Sequence, residues 1–196
     1  MTCSPVLIIF IRAPFLGSVK KRLAAGIGQI EARNFYLKTS TDLIKKVSGS
    51  PFWTTILCVT PDAASLKGRF WKRIPVRLPQ GLGNLGQRME RVSLKFPNNP
   101  VLIIGSDIPD ISNRIIKNAF TAVRRHDLVF GPSPDGGYWL VGARAGLLVR
   151  GLFHNVRWST AFALSDTLDN IGMKKVGFVD TLNDIDSVED FVRWST

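Results

Sequence analysis

Four short stretches of this chain concentrate side chains able to do chemistry. In Phe10–Leu23 (FIRAPFLGSVKKRL) an apolar run stops abruptly, and Arg12, Lys20, Lys21 and Arg22 follow around the turn-formers Pro14 and Gly17. Cations gathered at the end of a buried strand suit a phosphate, which backbone N–H groups at a helix start would also attract. Ser18 is the expected start of that helix, which would put Lys20, Lys21 and Arg22 in its first turns, against the helix dipole. A solvated basic turn would look the same. In Gly105–Ser112 (GSDIPDIS) a carboxylate, Asp107, closes another apolar run. One Asp together with substrate phosphates is a common way to hold Mg²⁺, and an Asp that caps local N–H groups is the plainer reading. Asp110 is the weaker candidate there, a turn residue near a helix start.

The third stretch, Gly131–Gly142 (GPSPDGGYWLVG), is constrained by its prolines and glycines. Asp135 could bind a hydroxyl or metal or accept a proton, and Gly136-Gly137 permit positive φ or a close approach. A simple Asp-Gly turn between two strands would also fit. The fourth, Asp180–Phe191 (DTLNDIDSVEDF), is acidic. Asp186 or Ser187 is placed to cap a last helix, and Asp184 or Asp186 could supply a second metal ligand. His126 and His154 have no partner at metal spacing, and no Walker A loop, G-x-S-x-G elbow or Cys/His constellation occurs.

Length and composition set the frame for these stretches. The 196 residues suit one domain, 1–196, large enough to bury its own core. Net charge is +11 and unevenly spread. Residues 1–100 hold 16 Lys/Arg against 4 Asp/Glu, whereas residues 101–196 hold 10 against 11. The basic half favours phosphates of some kind. Nucleic acid is not expected, because aromatic platforms are not interleaved with the charge. Cys3 and Cys58 are too few for a disulfide framework and point to a reducing cytoplasm. No signal peptide and no apolar run of membrane-spanning length is read.

Strands and helices must alternate to position these stretches. Val6–Ile11, Thr54–Val59, Ile74–Leu78, Val101–Ile104, Leu128–Phe130, Tyr138–Val141 and residues 175–179 read as strands. Residues 29–47, 62–71, 87–96, Ser112–Val123, 160–171 and 187–194 read as helices, with Gly81, Gly83 and Gly86 in a flexible stretch. Short apolar strands between helices imply an open, mainly parallel sheet covered on both faces. In such a sheet ligands bind beyond the carboxyl ends of the strands. The basic loop, Asp107 and Asp135 all follow strand ends.

Taken in order, these motifs resemble the DUF2064 family, within the nucleotide-diphospho-sugar transferase superfamily. The likeness runs over roughly residues 6–192. Its opening pattern, F-x-K-x-P-x-x-G-x-V-K-T-R-L, stands here as Phe10 to Leu23. G-D-L-G-x-R-M stands as Gly83–Met89, and G-T-D-x-P as Gly105–Pro109. G-P-x-x-D-G-G-Y-x-L-x-G is complete at Gly131–Gly142. Trp158-Ser159-Thr160 and the acidic ending from Asp184 to Asp190 complete the series. Lys21 stands in place of Thr, Arg12 of Lys, Asn84 of Asp, Asp110 of a small residue and Pro134 of an acid.

The resemblance implies an α/β fold of GT-A type, a three-layer α/β/α sandwich related to the Rossmann fold. It implies a nucleotide site at the loop after the first strand and a divalent metal at Asp107. The expected activity is that of a metal-dependent transferase with a nucleotide-activated donor, a glycosyltransferase on an NDP-sugar. Arg12, Gly17, Lys20, Lys21 and Arg22 would meet the phosphates, with Arg88 a further contact. Asp107 and Asp186 would hold Mg²⁺ or Mn²⁺, Asp184 being the alternative late ligand. Asp107 and Asp135 would be catalytic, and Asp135, Gly136, Gly137, Tyr138 and Trp158 would face the donor sugar or an acceptor of unknown identity. The alternatives are a nucleotidyltransferase joining an NTP to a phosphorylated small molecule with release of pyrophosphate, and a non-catalytic nucleotide-binding domain. Base, sugar, acceptor and oligomeric state are not specified.

Overall fold

A computed structural model describes residues 3–67, 70–71, 76–147 and 150–195. Among these, β1 (Val6–Arg12), β2 (Thr54–Thr60), β3 (Arg77–Pro79), β4 (Val101–Ile104), β5 (Leu128–Pro132), β6 (Tyr138–Ala143) and β7 (Val176–Phe178) form a seven-stranded sheet in the order β3-β2-β1-β4-β6-β5-β7. Every neighbouring pair is parallel except the two that involve β6. The expected mainly parallel sheet is present, with one reversed strand. An apolar run buried on both faces reads alike in either direction, so only the short Asp-Gly connection from β5 hints at the reversal.

Helices cover both faces. Leu7, Ile9 and Ile11 of β1 join a core with Leu43, Ile44 and Val47 of α2 (Gln29–Val47) and Ile116, Ala119 and Val123 of α5 (Asn113–Val123). Val6 and Ile8, which alternate with them, join the opposite core with Met89 and Val92 of α4 (Leu85–Ser93), while Leu164 and Leu168 of α6 (Ala163–Asp169) pack against it. This is the three-layer sandwich, and α2 occupies the span its periodicity predicts. The α5 N-terminus is capped at Ser112, whose Oγ accepts from the Ile115 N–H.

Some boundaries differ from the sequence reading. α4 begins two residues earlier than read, at Leu85, because Asn84 and Gln87 form a reciprocal capping box. Gly86 lies inside that helix, where a Cβ would meet the side chain of Phe153 at 2.4 Å. It is a packing glycine rather than part of a flexible stretch. α3 spans Asp62–Lys67, and β3 begins at Arg77; Gly68, Arg69, Ile74 and Pro75, included in those readings, lie outside the described residues. Ser18 starts no helix. Its hydroxyl donates back to Phe15 and Ala13, closing a turn, and α1 (Lys21–Ile27) begins after Lys20. α7 (Val188–Ser195) ends the described chain. No helix among the described residues is long and apolar enough to cross a membrane.

Candidate active site

The strand order reverses between β1 and β4, and the crevice beyond their carboxyl ends is where such sheets bind ligands. Lys20 enters it from the β1 side. Its backbone is left-handed (φ 48°, ψ 51°), a conformation costing a non-glycine residue roughly 1–2 kcal/mol. The side chain is buried, and Nζ donates to Asp107 Oδ2 at 2.7 Å, with Asp186 Oδ1 at 3.6 Å. Burial alone would lower the Lys20 pKa. Asp107, Asp186 and Asp184 overcome it and hold the ammonium above its ordinary value.

Asp186 is delivered by the segment before α7. Its neighbour Ile185 donates its N–H to the Asp107 carbonyl at 3.3 Å. Asp190 Oδ2 accepts from the N–H groups of Asp186 and Ser187, while Ser187 Oγ accepts from the Asp190 N–H. The predicted cap is therefore Ser187 with Asp190, and it also fixes the Asp186 backbone. Asp184 is pushed up to about 6, by burial first and then by repulsion from Asp107, Asp186 and Asp135 against the pull of Lys20.

Tyr36, which is not among the candidate residues read from sequence, ties β1 to β4. Its hydroxyl accepts from the Arg12 N–H at 3.0 Å and lies 3.0 Å from Ser106 Oγ. Burial raises it to about 12, so it stays protonated. Its signal was a phenol among the buried positions of a helix, which must find a polar partner. Gln80, also missed, is buried with Nε2 donating to the carbonyls of Cys58 (2.9 Å) and Ile11 (3.3 Å). Its Oε1 accepts from Arg88 Nη1 at 3.3 Å.

Two cavities adjoin here and share Phe10, Leu85, Gly105 and Asp107. The first, of about 330 Å³, is lined by Arg12, Lys20, Arg88, Thr60, Gln80 and Asp186 among others. The second, of about 220 Å³, is lined by Asp135, Asp184, Gly137, Tyr138, Trp158 and Thr160 among others. Asp107 stands at their junction. Lys21 and Arg22 line neither; Arg22 is exposed and reaches Asp186 at 3.5 Å. Gly17 (φ +72°) shapes the loop without lining a cavity. Gly136 (φ +83°) also lines neither cavity, and a Cβ there would lie 2.2 Å from the Ala161 carbonyl. The close approach its sequence suggested is made by the protein's own backbone, which Leu164 N–H reinforces by donating to Gly136 O.

Asp107 and Asp186 converge on one cation, the Lys20 ammonium. Among the described residues no group of three or more His, Cys, Asp or Glu side chains is arranged around a common metal position. Two hard carboxylates do match a Mg²⁺ or Mn²⁺ ion whose remaining ligands are substrate phosphates and water.

Comparison with known proteins places the fold. A 2-phospho-L-lactate guanylyltransferase of Methanocaldococcus jannaschii is 24% identical over 137 residues, 70% of this chain; the chain spans only 59% of that relative's length. A Desulfovibrio desulfuricans G20 structure, provisionally assigned as a nucleotide-diphospho-sugar transferase, superposes with a TM-score of 0.88 at 27% identity, covering 96% of this chain and 85% of its own. Rv0371c of Mycobacterium tuberculosis H37Rv, solved as a manganese complex, shares the fold with a TM-score of 0.56 at 15% identity, covering 97% of both chains. The family model described as "Uncharacterized protein conserved in bacteria (DUF2064)" matches residues 43–160, more than half of the sequence, and the chain belongs to that family.

Proposed function

We propose that this protein is a transferase using a nucleotide-activated donor, and specifically a glycosyltransferase acting on an NDP-sugar. One observation carries the reading: Asp107 lies where a cavity bearing Arg12, Lys20 and Arg88 meets a cavity lined by carboxylates, hydroxyls and aromatic rings. The first suits a nucleoside diphosphate and the second a sugar ring. Arg12 and Arg88 would neutralise phosphates directly. Lys20 would act through Asp107, which it holds in place, and Arg22 and Lys21 would add charge at the rim.

Asp107 and Asp186 are the residues that would hold Mg²⁺ or Mn²⁺. Such an ion, when bound, stabilises negative charge on the departing diphosphate, commonly the largest contribution in this chemistry. The manganese found with a neighbour of the same fold supports this assignment. Asp135, across the second cavity, would orient the ring or accept the proton of an incoming hydroxyl.

The similarity to a guanylyltransferase favours one rival, transfer of a nucleotidyl group with release of pyrophosphate. Product analysis separates the two. With Mn²⁺ and a donor panel, release of NDP from an NDP-sugar supports glycosyl transfer, and pyrophosphate from an NTP supports the rival. Metal-dependent nucleotide binding with neither product would mark a non-catalytic nucleotide-binding domain. Loss of turnover in Asp107→Asn but not in Asp110→Asn would tie the chemistry to the junction.

A further inference from the structure

The two cavities that meet at Asp107 differ in charge, and the difference specifies what the second one can hold. Among the described residues, no Lys, Arg or His lines it. Its charged lining is Asp107, Asp135 and Asp184. The Lys20 ammonium reaches Asp107 but lines only the neighbouring cavity. Asp135 Oδ1 accepts from the Gly137 N–H at 2.9 Å, and neither Asp135 nor Asp184 has an ion-pair partner among the described residues.

Ionised carboxylates only accept hydrogen bonds. A ligand seated among them must therefore bring donors, as hydroxyls or an ammonium. A phosphate or carboxylate would set like charges side by side with no cation of the chain between them. The remaining walls agree. Tyr138 and Trp158, with ring centres 6.2 Å apart, present aromatic surface, which packs against sugar rings and attracts an ammonium. Ser133, Ser159 and Thr160 add neutral hydroxyls. Asp107 and Asp186 are the residues that would hold a divalent ion, which would leave Asp135 and Asp184 of this cavity for the ring.

We infer that the second cavity selects a polyhydroxylated ring that is neutral or amine-bearing and rejects rings carrying a phosphate or carboxylate. The inference deepens the donor reading above and rests on it for the ring's attachment to a nucleotide. It also disfavours the rival in which the second substrate is a phosphate ester.

Isothermal titration of the full chain with UDP-glucose, UDP-glucosamine and UDP-glucuronate varies ring charge at a constant nucleotide. The same series is repeated on another base if the donor panel selects one. UDP-glucosamine is expected to bind at least as tightly as UDP-glucose, and UDP-glucuronate at least tenfold more weakly. Asp135→Asn keeps the oxygen that accepts from Gly137 and should narrow that gap to about threefold. Equal or tighter binding of the glucuronate, or a gap unchanged in both Asp135→Asn and Asp184→Asn, overturns the inference while the donor reading survives. Saturation-transfer NMR with free glucosamine against glucosamine 6-phosphate separates the converse case. If no nucleotide binds yet glucosamine is the better ligand, the donor reading falls and the cavity's selectivity stands. If the phosphate ester is the better ligand, the selectivity falls.

Discussion

The ammonium of Lys20 lies 2.7 Å from Oδ2 of Asp107, a contact made across 87 positions of chain. It brings the basic loop after β1 against the acid after β4, and Asp186 joins them at 3.6 Å from the far end of the sequence. The lysine is thus a structural part of the site, tying together three segments distant in sequence.

Removing that ammonium should therefore cost stability as well as function. Lys20→Met leaves Asp107 and Asp186 facing each other with no buried countercharge. The Lys20 side chain is 3% exposed and Asp107 31%, so the loss belongs near the low end for a broken buried pair, about 3 kcal/mol. Arg22, 79% exposed and 3.5 Å from Asp186, gives the contrast. Arg22→Ala should change stability by no more than about 1 kcal/mol. Urea denaturation of the two variants beside the parent protein measures both; equal losses would refute the structural role of Lys20.

Tyr36→Phe tests the tie between β1 and β4. The change removes one oxygen and leaves the Arg12 N–H and the Ser106 hydroxyl without their partner. Stranding such groups costs about 1–3 kcal/mol. Because both line the cavity proposed to hold the nucleotide, nucleotide affinity should fall together with Tm. A Tm drop with unchanged affinity would confine Tyr36 to stability.

Much of this fold can be read from sequence because its signals are local. The apolar runs Val6–Ile11 and Val101–Ile104 are strands wherever they sit, and residues 29–47 carry a helical period that needs no partner to be seen. The places where reading stops short depend on tertiary contact. A lysine is ordinarily an exposed residue, and nothing in SVKKRL distinguishes buried Lys20 from exposed Lys21. Gly86 looks like one more glycine of a loop until Phe153 is seen against it. The Asn84–Gln87 capping box was present as a pattern, but the surrounding glycines masked it. Asp107 and Asp135 stood out because a carboxylate after an apolar run is conspicuous. Tyr36 and Gln80 did not, since their role is to join segments distant in sequence.

The loop that carries Trp158 into the second cavity is pinned by one ion pair. Arg157 donates from its backbone N–H and Nε to Asp166 Oδ2 and from Nη2 to Oδ1. Hydrogen bonds from the guanidinium, then from the backbone, bring the Asp166 carboxyl from 3.8 down to about 2. A depressed carboxyl contributes stability that is present above its unfolded value and lost as pH falls through the folded one. The parent protein should thus be more stable than Asp166→Asn at pH 7, with the difference shrinking between about pH 4 and pH 2. Thermal denaturation of both proteins across that range checks it. A difference independent of pH would mean that the carboxylate's charge is not what holds the loop.

Gly136 and Gly49 share nearly the same positive φ, +83° and +80°, and differ in what surrounds them. A Cβ at Gly49 meets nothing within 4 Å, whereas at Gly136 it would lie 2.2 Å from the Ala161 carbonyl oxygen. Gly49→Ala should therefore cost only the left-handed strain, roughly 1–2 kcal/mol. Gly136→Ala adds a collision with backbone that no rotamer change can relieve, bringing the total to about 3 kcal/mol or more. The collision falls where Leu164 N–H bonds to Gly136 O, between the turn that carries Asp135 and the loop that carries Ser159 and Thr160. Sugar-nucleotide affinity should consequently drop in Gly136→Ala and hold in Gly49→Ala, with binding of the free nucleotide less affected in both. Calorimetric stability and titration with NDP and NDP-sugar measure these outcomes. Identical behaviour of the two variants would show that backbone conformation, and not the contact with Ala161, fixes the glycine at position 136.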